Sequence, residues 1–544
     1  MEPLFQLWDM QIVQLIVVHM NSTTRIPGDR IYNMMLTDSY TAFLKTDIAS
    51  YTRDNNNNEY YFIFLQTPDH LLKDEMQQIF NYCWLHYLIN CVVQVQTERG
   101  EVLLYTYFPF TAKYCYKIEP VLFNQFKGAG FTKSELFPRK LKNFYGCKLK
   151  AALWHLVPLV TLETNAEGQV KINGGFEGNM LNVLAQKLNF SVEIWIPPEA
   201  VKRGTLVNGS FNGAIGMIEK HTADLTIAGF RQTLERSRVA SPTVVYRQDH
   251  VVAVVYKAAY QFNSFELLVH PFTTYVWTIL LITVILALIT QCFENTVLLK
   301  SRIKTKDTSK SFLHIFRILL GLPVLQLTNN SGRRLLLILW FWVMFIIRNS
   351  YQALLFHLIH TQTSKPIPNS IDKILTQNYT FLMNKDILND VSLAKKFVFE
   401  VVPNGKSPLN LLENTSRGPL VGITTNTILA YFVHQNRKAG DYFLIPQQIV
   451  SFYMTMYLSK HSFLLDEFNK QISWIVSTGL MNAWLSREID NNYLFNGQVM
   501  QDHLFGMKEL WAAFLVIIIG VIISSCVFTL EFISSKSKFV QKLF

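Results

Sequence analysis

Apolar residues run without a charge from Phe272 to Cys292 and again from Trp511 to Leu530. At about 1.5 Å per residue each run reaches across a hydrocarbon core of roughly 30 Å. A third run, Leu335 to Ile359, is apolar to Ile347, then carries Arg348, Asn349 and Ser350 before resuming at Leu354. Between the first and third lies FLHIFRILLGLPVLQL, Phe312 to Leu327, which is short for a span of ~20 residues and is interrupted by Arg317, Gly321 and Pro323. A segment of that kind dips into the bilayer and returns, as a polypeptide does when it lines a pore beside a spanning helix. The pattern predicts a membrane protein with three transmembrane helices and one re-entrant loop.

Elsewhere the period changes. From Gly146, KLKAALWHLV reads as a strand, GNMLNVLAQKLNF puts Leu181, Leu184, Ala185 and Leu188 on one helical face, SVEIWI is a strand, GAIGMIEKH a short helix and ADLTIAGF a strand. After the third run come a helix around Ile371 to Gln377, strands at YTFLM and PLVGI, a helix from Asn426 to Gln435, and a long helix with Leu464, Phe468, Ile472 and Ile475 on one face. Neither half carries a complete sheet. Together they predict an α/β ectodomain of two lobes, split by the inserted pore. The expected division is 1–143 for a short N-terminal extracellular region, 144–270 and 361–508 for the two halves, 271–360 for the first span, loop and second span, 509–531 for the last span and 532–544 for a cytoplasmic tail. Before Asn143, alternation around VVQVQ and LLYTYF predicts strands, and Asn55 to Asn58 marks a loop.

Charge tests the topology. A formal charge of +11 and a pI near 9.1 raise the question of nucleic acid. Much of the excess, however, flanks the apolar runs: Lys300, Arg302, Lys304, Lys306 and Lys310 after the first, Arg333 and Arg334 before the second, Lys536, Lys538 and Lys542 after the third. A re-entrant loop puts all three clusters on the cytoplasmic side, and nucleic-acid binding is not expected. Sequons at Asn189, Asn208, Asn378 and Asn414 then fall outside, as candidate glycosylation sites, whereas Asn329 falls on the cytoplasmic hairpin. The N-terminus, with Glu2 and Asp9, lacks the basic start of a secretory signal, so either Ile12 to Met20 serves weakly or the true start lies upstream. Cys83, Cys91, Cys115 and Cys147 lie where disulfides form, with their pairing open, while Cys292 and Cys526 sit near span ends and are expected to be free.

The order of half-domain, span, loop, span, half-domain and final span resembles the ionotropic glutamate receptors. GSFNGAIGMIEKHTADLTIAGF is similar to their first-lobe core, SGRR stands where they enter the pore-lining helix, and SYQALLFHL resembles their SYTANLAAF gate. The likeness covers roughly Phe144 to Ile533 and is greatest to the divergent insect chemosensory branch, because Arg348 precedes Ser350 and Tyr351 and no long amino-terminal domain is present. The resemblance implies a ligand-gated cation channel subunit serving as a chemosensory receptor for taste or odour. It further implies a tuning subunit in a heterotetramer with a co-receptor, in the plasma membrane of sensory dendrites. The alternative is a non-conducting binding or assembly subunit.

The same likeness assigns residues. ADLTIAGFRQTLERSR puts Arg236 in place of the arginine that holds a ligand carboxylate, with Arg231 and Arg238 as neighbours. Gly229 replaces the family's proline and Arg231 its threonine. The family's ammonium-binding acid falls at Thr425, where there is none, so glutamate and glycine are poor candidates and a small organic acid a better one. Asn384 and Asp386 occupy the region that meets the ligand's far end, although Asp386 also suits a plain N-cap. Leu320, Gly321 and Leu322 match the filter without its glutamine or asparagine; Ser350, Tyr351, Gln352 and Ala353 match the gate; Arg348 marks a functional seam in the second span. Relatives tie the second lobe with a disulfide, yet no cysteine lies between Cys292 and Cys526. His357 and His360 lack a third metal ligand, so no metal is expected, and none of GxSxG, HExxH, CxxC or a P-loop occurs to suggest an enzyme or a cofactor.

Overall fold

The computed structural model describes residues 32–489 and 507–536, apart from internal stretches of which the longest are 49–58, 301–314, 324–330, 361–364, 388–398, 403–406 and 414–417, with backbone alone for 291–300. The candidate residues Asn378, Asp386 and Asn414 lie outside the described residues, as do Asn329, the segment Ile12 to Met20 and the basic run after Lys300.

The chain divides into two compact units, one of residues 1–255, 375–439 and 444–499, the other of 256–374, 440–443 and 500–544. The first begins with a six-stranded sheet in sequence order: Tyr32–Thr37, Tyr60–Leu65, Asn90–Gln96, Val102–Thr106, Val121–Lys127 and Gly130–Phe131. Its first three strands are parallel and the rest antiparallel. The helix Leu72–Leu85 buries Met76, Ile79, Phe80 and Cys83 with Tyr61, Ile63, Val93 and Val95. The alternation had suggested Asn90–Gln96 and Val102–Thr106, whereas the parallel strands before them and the helix that crosses between Tyr60–Leu65 and Asn90–Gln96 were not read from it. Cys115 is disulfide-bonded to Cys147. Cys83 and Cys91 remain thiols with their sulfurs 3.2 Å apart, and burial pushes the Cys83 thiol up.

Two further sheets follow, and each draws on both halves of the chain. The first-lobe sheet runs Ser191–Trp195, Lys148–Ala152, Leu225–Thr226, Tyr457–Ser459, Ala240–Pro242. Tyr457–Ser459 returns from beyond the inserted helices to lie antiparallel between Leu225–Thr226 and Ala240–Pro242. The second-lobe sheet joins Phe399–Val402, Thr380–Asn384 and Leu420–Thr425 to the long strand Arg247–Tyr256, which also pairs with Val450–Met454. The helix Phe176–Leu188 buries Leu181, Leu184 and Leu188 as its spacing predicts, and Leu465–Ser477 buries Phe468, Ile472 and Ile475. Phe190 stacks on Phe468 at 5.8 Å, fastening residues from either side of the insertion. The strand read over ADLTIAGF is shorter, ending at Thr226, because the backbone turns at Ala228 and at Gly229, whose φ is +68°.

The second unit holds the helices Thr274–Lys300, Ser331–His360 and Met507–Lys536. Among the described residues two stretches are long and apolar enough to cross a membrane, Arg334–Leu358 and Trp511–Leu530, and Thr274–Thr290 is a shorter apolar helix.

Candidate functional site

The segment after Thr226 is pinned from both sides. Ile227, Ala228 and Phe230 are buried, and the Phe230 carbonyl accepts from Thr455 N while Gln232 N donates to the Tyr453 carbonyl. Thr233 caps the short helix Leu234–Val239, its hydroxyl accepting from Arg236 N at 3.4 Å. That turn directs Arg236 inward. The residue is 7 % exposed, its guanidinium lies over the Phe230 ring at 5.6 Å, and Nη1 donates to the Arg231 carbonyl at 3.3 Å. The Tyr457 hydroxyl donates to that same carbonyl, so two groups fix it.

Arg231 lies in the same place. It is 8 % exposed, bridges Met454 and sits over Phe452 at 5.2 Å. Burial first, then the guanidiniums of Arg236 and Arg203, pull Arg231 down to about 10. Arg203 covers Trp154 at 5.8 Å and donates to the Ala228 carbonyl at 3.3 Å; Arg247 covers Phe176 at 5.9 Å. Each of the four guanidiniums therefore lies over an aromatic ring at 5.2 to 5.9 Å, a cation–π placement that adds to their hydrogen bonds. Arg238 is exposed on the far side of the short helix.

Two carboxyls share this region. Glu177, fully buried in the first turn of Phe176–Leu188, accepts from Gly229 N at 2.9 and 3.1 Å and from the Tyr246 hydroxyl at 2.6 Å. Burial pushes it up to about 7 against the pull of those bonds and of Arg203. The Gly229 amide is the reason proline cannot stand here: proline has no N–H and holds φ near −65°. Asp249, also raised by burial, accepts from the His250 amide at 2.8 Å and from the Thr427 amide. An acid from the neighbouring strand thus reaches the first turn of the helix that Thr425 caps, although the segment around Thr425 has none of its own.

Thr425 accepts from Ile428 N at 3.4 Å and is half-buried. Met383 pairs with Ile423 in parallel register, so Asn384 and Thr425 stand at the carboxyl ends of adjacent strands, where open α/β sheets bind ligands. Asn189 closes the helix Phe176–Leu188 in the left-handed conformation and donates from Nδ2 to Asn143 at 2.8 Å, whereas Asn208 is exposed in the tight turn between Leu206–Val207 and Ser210–Phe211. Among the described residues no group of three or more metal-ligating side chains occurs. Glu177, Tyr457, Arg203 and Asp249 were not singled out by the sequence, and Arg231, set aside there in favour of Arg236, belongs with it.

Within the second unit, residues 317–319 are helical and end on a Schellman turn: Leu322 N donates to the Arg317 carbonyl at 2.7 Å and Gly321 N to Ile318 at 3.0 Å, with Gly321 at φ +78°. The Arg348 guanidinium fills the space beside Gly321, with Nη1 1.3 Å from where a Cβ would stand. Leu320 is exposed beside it. Arg348 and Tyr351 also line an open cavity of about 160 Å³ with Trp277, Leu280, Leu319 and Met344. The Tyr351 hydroxyl donates to the Leu268 carbonyl at 2.9 Å, tying the second span to the helix Ser264–Val269 that precedes the first. Ser350, Gln352 and Ala353 are exposed on the single chain.

Two family models match: an ionotropic receptor ligand binding domain over residues 2–143, and the ligated ion channel L-glutamate- and glycine-binding site over 149–259. Similar curated proteins include the ionotropic glutamate receptor delta-2 of Danio rerio, 30% identical over 152 residues, which are 28% of this chain and 15% of that protein. Delta-1 of Mus musculus is 33% identical over 132 residues, 24% of this chain and 13% of that protein. Ionotropic receptor 21a of Anopheles gambiae is 24% identical over 241 residues, 42% of this chain and 24% of that protein. The chain therefore spans less than a quarter of the length of these relatives. The first match covers the N-terminal region, for which the sequence reading found no likeness, and the second covers the buried arginines and Glu177. Both domain matches and the relatives of delta and insect types show that the chain is similar to the ionotropic glutamate receptors over its N-terminal region and over the stretch that holds the buried arginines.

Proposed function

We propose that the chain is a subunit of a ligand-gated cation channel that serves as a chemosensory receptor for small organic acids, acting as the tuning member of a heterotetramer with a co-receptor in the plasma membrane of sensory dendrites. The observation that carries this reading is the pair of buried arginines, Arg236 and Arg231, on the segment that bridges to Met454 between two lobes, each completed from both sides of an inserted helical stretch. Residues 144–270 and 361–508 form the two halves of the ligand-binding domain, and ligand drawn to the arginines closes it. Closure pulls on the linkers at Pro271 and before Pro366, and Tyr351, held to Leu268, couples that pull to the gate formed by Ser350, Gln352 and Ala353. Asn384, Asp386 and Thr425 contribute from the second lobe.

The chain expressed with a co-receptor is expected to give cation current evoked by organic acids, and no current without it. Currents absent in both conditions at normal surface expression favour the second reading, a non-conducting binding or assembly subunit. A specific observation supports that alternative: Arg348 packs against Gly321, which sets a fixed positive charge beside the loop at the filter position.

Topology is tested separately. Asn208, exposed at its hairpin tip, is expected to carry glycan when the chain is expressed in a secretory cell, as is Asn414. Substituting either with glutamine should remove one glycosidase-sensitive mobility step. Modification at Asn329 instead would place the hairpin outside and sink the re-entrant loop.

A further inference from the structure

Cys83 and Cys91 meet in the core of the N-terminal region, with their sulfurs 3.2 Å apart and both side chains buried. Cys83 lies in the last turn of the helix Leu72–Leu85, and Cys91 at the start of the strand Asn90–Gln96. The turn between them is pinned by side chains from elsewhere. The Tyr107 hydroxyl donates to the Leu88 carbonyl at 2.8 Å and the Thr106 hydroxyl to the Cys91 carbonyl at 2.7 Å. Lys140 Nζ donates to the carbonyls of Ile89 and Cys91 at 2.6 and 3.3 Å. Contacts that do not involve the sulfurs therefore hold them face to face. An S–S bond is about 2.05 Å long, so closure asks for a shift of roughly 0.6 Å from each sulfur. The surroundings suit it, because Cys115 and Cys147 of the same unit are already joined.

We propose that Cys83 and Cys91 are a disulfide-forming pair, closed while the chain folds in an oxidising compartment by exchange with a protein or small-molecule disulfide. The Cys83 thiolate attacks that disulfide and expels one thiolate, and the Cys91 thiolate then attacks the Cys83 sulfur of the mixed disulfide and expels the second. The two protons lost by the cysteines pass to the two expelled thiolates, so the donor is reduced as the pair is oxidised. Exchange precedes the packing of helix on strand, since in the folded core both sulfurs are out of reach and burial pushes the Cys83 thiol up. The loop so closed carries Trp84 and Tyr87, whose rings meet Phe463 at 5.2 and 5.8 Å. Phe463 stands just before the helix Leu465–Ser477, so these contacts join the N-terminal region to the first lobe. Tyr87 has φ +58°, a left-handed conformation that a residue other than glycine keeps only where its surroundings enforce it. A covalent bond across the loop braces both rings against the lobe. This role holds whether or not the chain conducts.

No lysine or arginine lies between Lys73 and Arg99, so trypsin leaves both cysteines in one peptide. The full-length chain, expressed in a secretory cell and purified, is unfolded in N-ethylmaleimide without reductant, digested and weighed. The peptide is expected to carry no maleimide and to be lighter than the dithiol by two hydrogens, whereas reduction before labelling should add a maleimide to each cysteine. Labelling of either cysteine without reduction overturns the proposal, whether or not the Cys115–Cys147 bridge is intact, because the sulfurs are then thiols joined only by an S–H···S hydrogen bond. Linkage of Cys83 or Cys91 to Cys115 or Cys147 overturns it as well. A second measurement reads the bracing. With Cys83→Ala and Cys91→Ala together, amide hydrogen exchange over residues 84–90 should be on the order of tenfold faster than in the unaltered chain. Equal protection overturns the bracing of the two rings.

Discussion

Arg236→Ala is expected to abolish or severely right-shift the response to an acidic ligand, by roughly 2–5 kcal/mol where the contact is desolvated. The residue is 7 % exposed, so an anion meeting it leaves water almost completely. Its position does not depend on its own length alone. Phe230 lies under the guanidinium, and Thr233 sets the turn that aims it. Arg236→Lys should recover only part of the loss, since one ammonium cannot reproduce two parallel N–H donors or stack on Phe230 in the same way. The fold around it should persist, because the Arg231 carbonyl that Arg236 reaches also accepts from the Tyr457 hydroxyl. The measurement is a dose-response curve at matched surface expression, with Arg238→Ala as the control. An unchanged curve for Arg236→Ala means that the active ligand is not held there.

How much of this was legible from residues alone depends on the distance over which each element is specified. Helices such as Phe176–Leu188 and Leu465–Ser477 write their buried face into a 3.6 period, so Leu184, Leu188, Phe468 and Ile472 could be placed directly. The N-terminal sheet was half read. Alternation around Asn90–Gln96 and Val102–Thr106 marked strands, but Met76, Ile79, Phe80 and Cys83 carry an equally clear helical spacing that passed unused. The match across residues 2–143 shows that the region also held a likeness not recognised.

Long-range partners were the harder part. Nothing near Gly229 announces that its amide meets a glutamate 52 residues earlier, and the only local sign is a glycine where a proline would be expected. Asp249 shows the same limit. The segment around Thr425 has no acid, yet register in the second-lobe sheet pairs Val251 with Thr425 and so carries Asp249 to the helix beyond it. The reading that glutamate and glycine are poor ligands was made from the Thr425 segment alone. In the pore segment the sequence identified both Gly321 and Arg348, but as separate features. Gly321 ends a short helix with a positive φ and, having no side chain, leaves the room that Arg348 fills.

Glu177 provides a signature of the first lobe that does not require a ligand. Burial pushes its carboxyl up to about 7, while in an unfolded chain it titrates near 4.3. Below that lower value both states are protonated and the group has no effect. As pH rises toward 7 the unfolded chain has lost the proton and the folded chain keeps it, so stability falls across this interval, by on the order of 3 kcal/mol once both are ionised. The groups facing Glu177 are the Gly229 amide, the Tyr246 hydroxyl and Arg203, all of which favour the charged form and are outweighed by burial. Glu177→Gln keeps the shape and both bonds: its carbonyl accepts from Gly229, and its amide donates to the Tyr246 oxygen. The variant's advantage over the unaltered chain should be small at pH 5 and widen to its full extent by pH 8. Asp249, raised in the same direction, contributes equally to both proteins and cancels in the difference. Denaturant or thermal unfolding from pH 5 to 8 supplies that difference, and parallel profiles would show that the carboxyl is already ionised in the folded lobe, held by Arg203 and the Gly229 amide more strongly than its burial opposes.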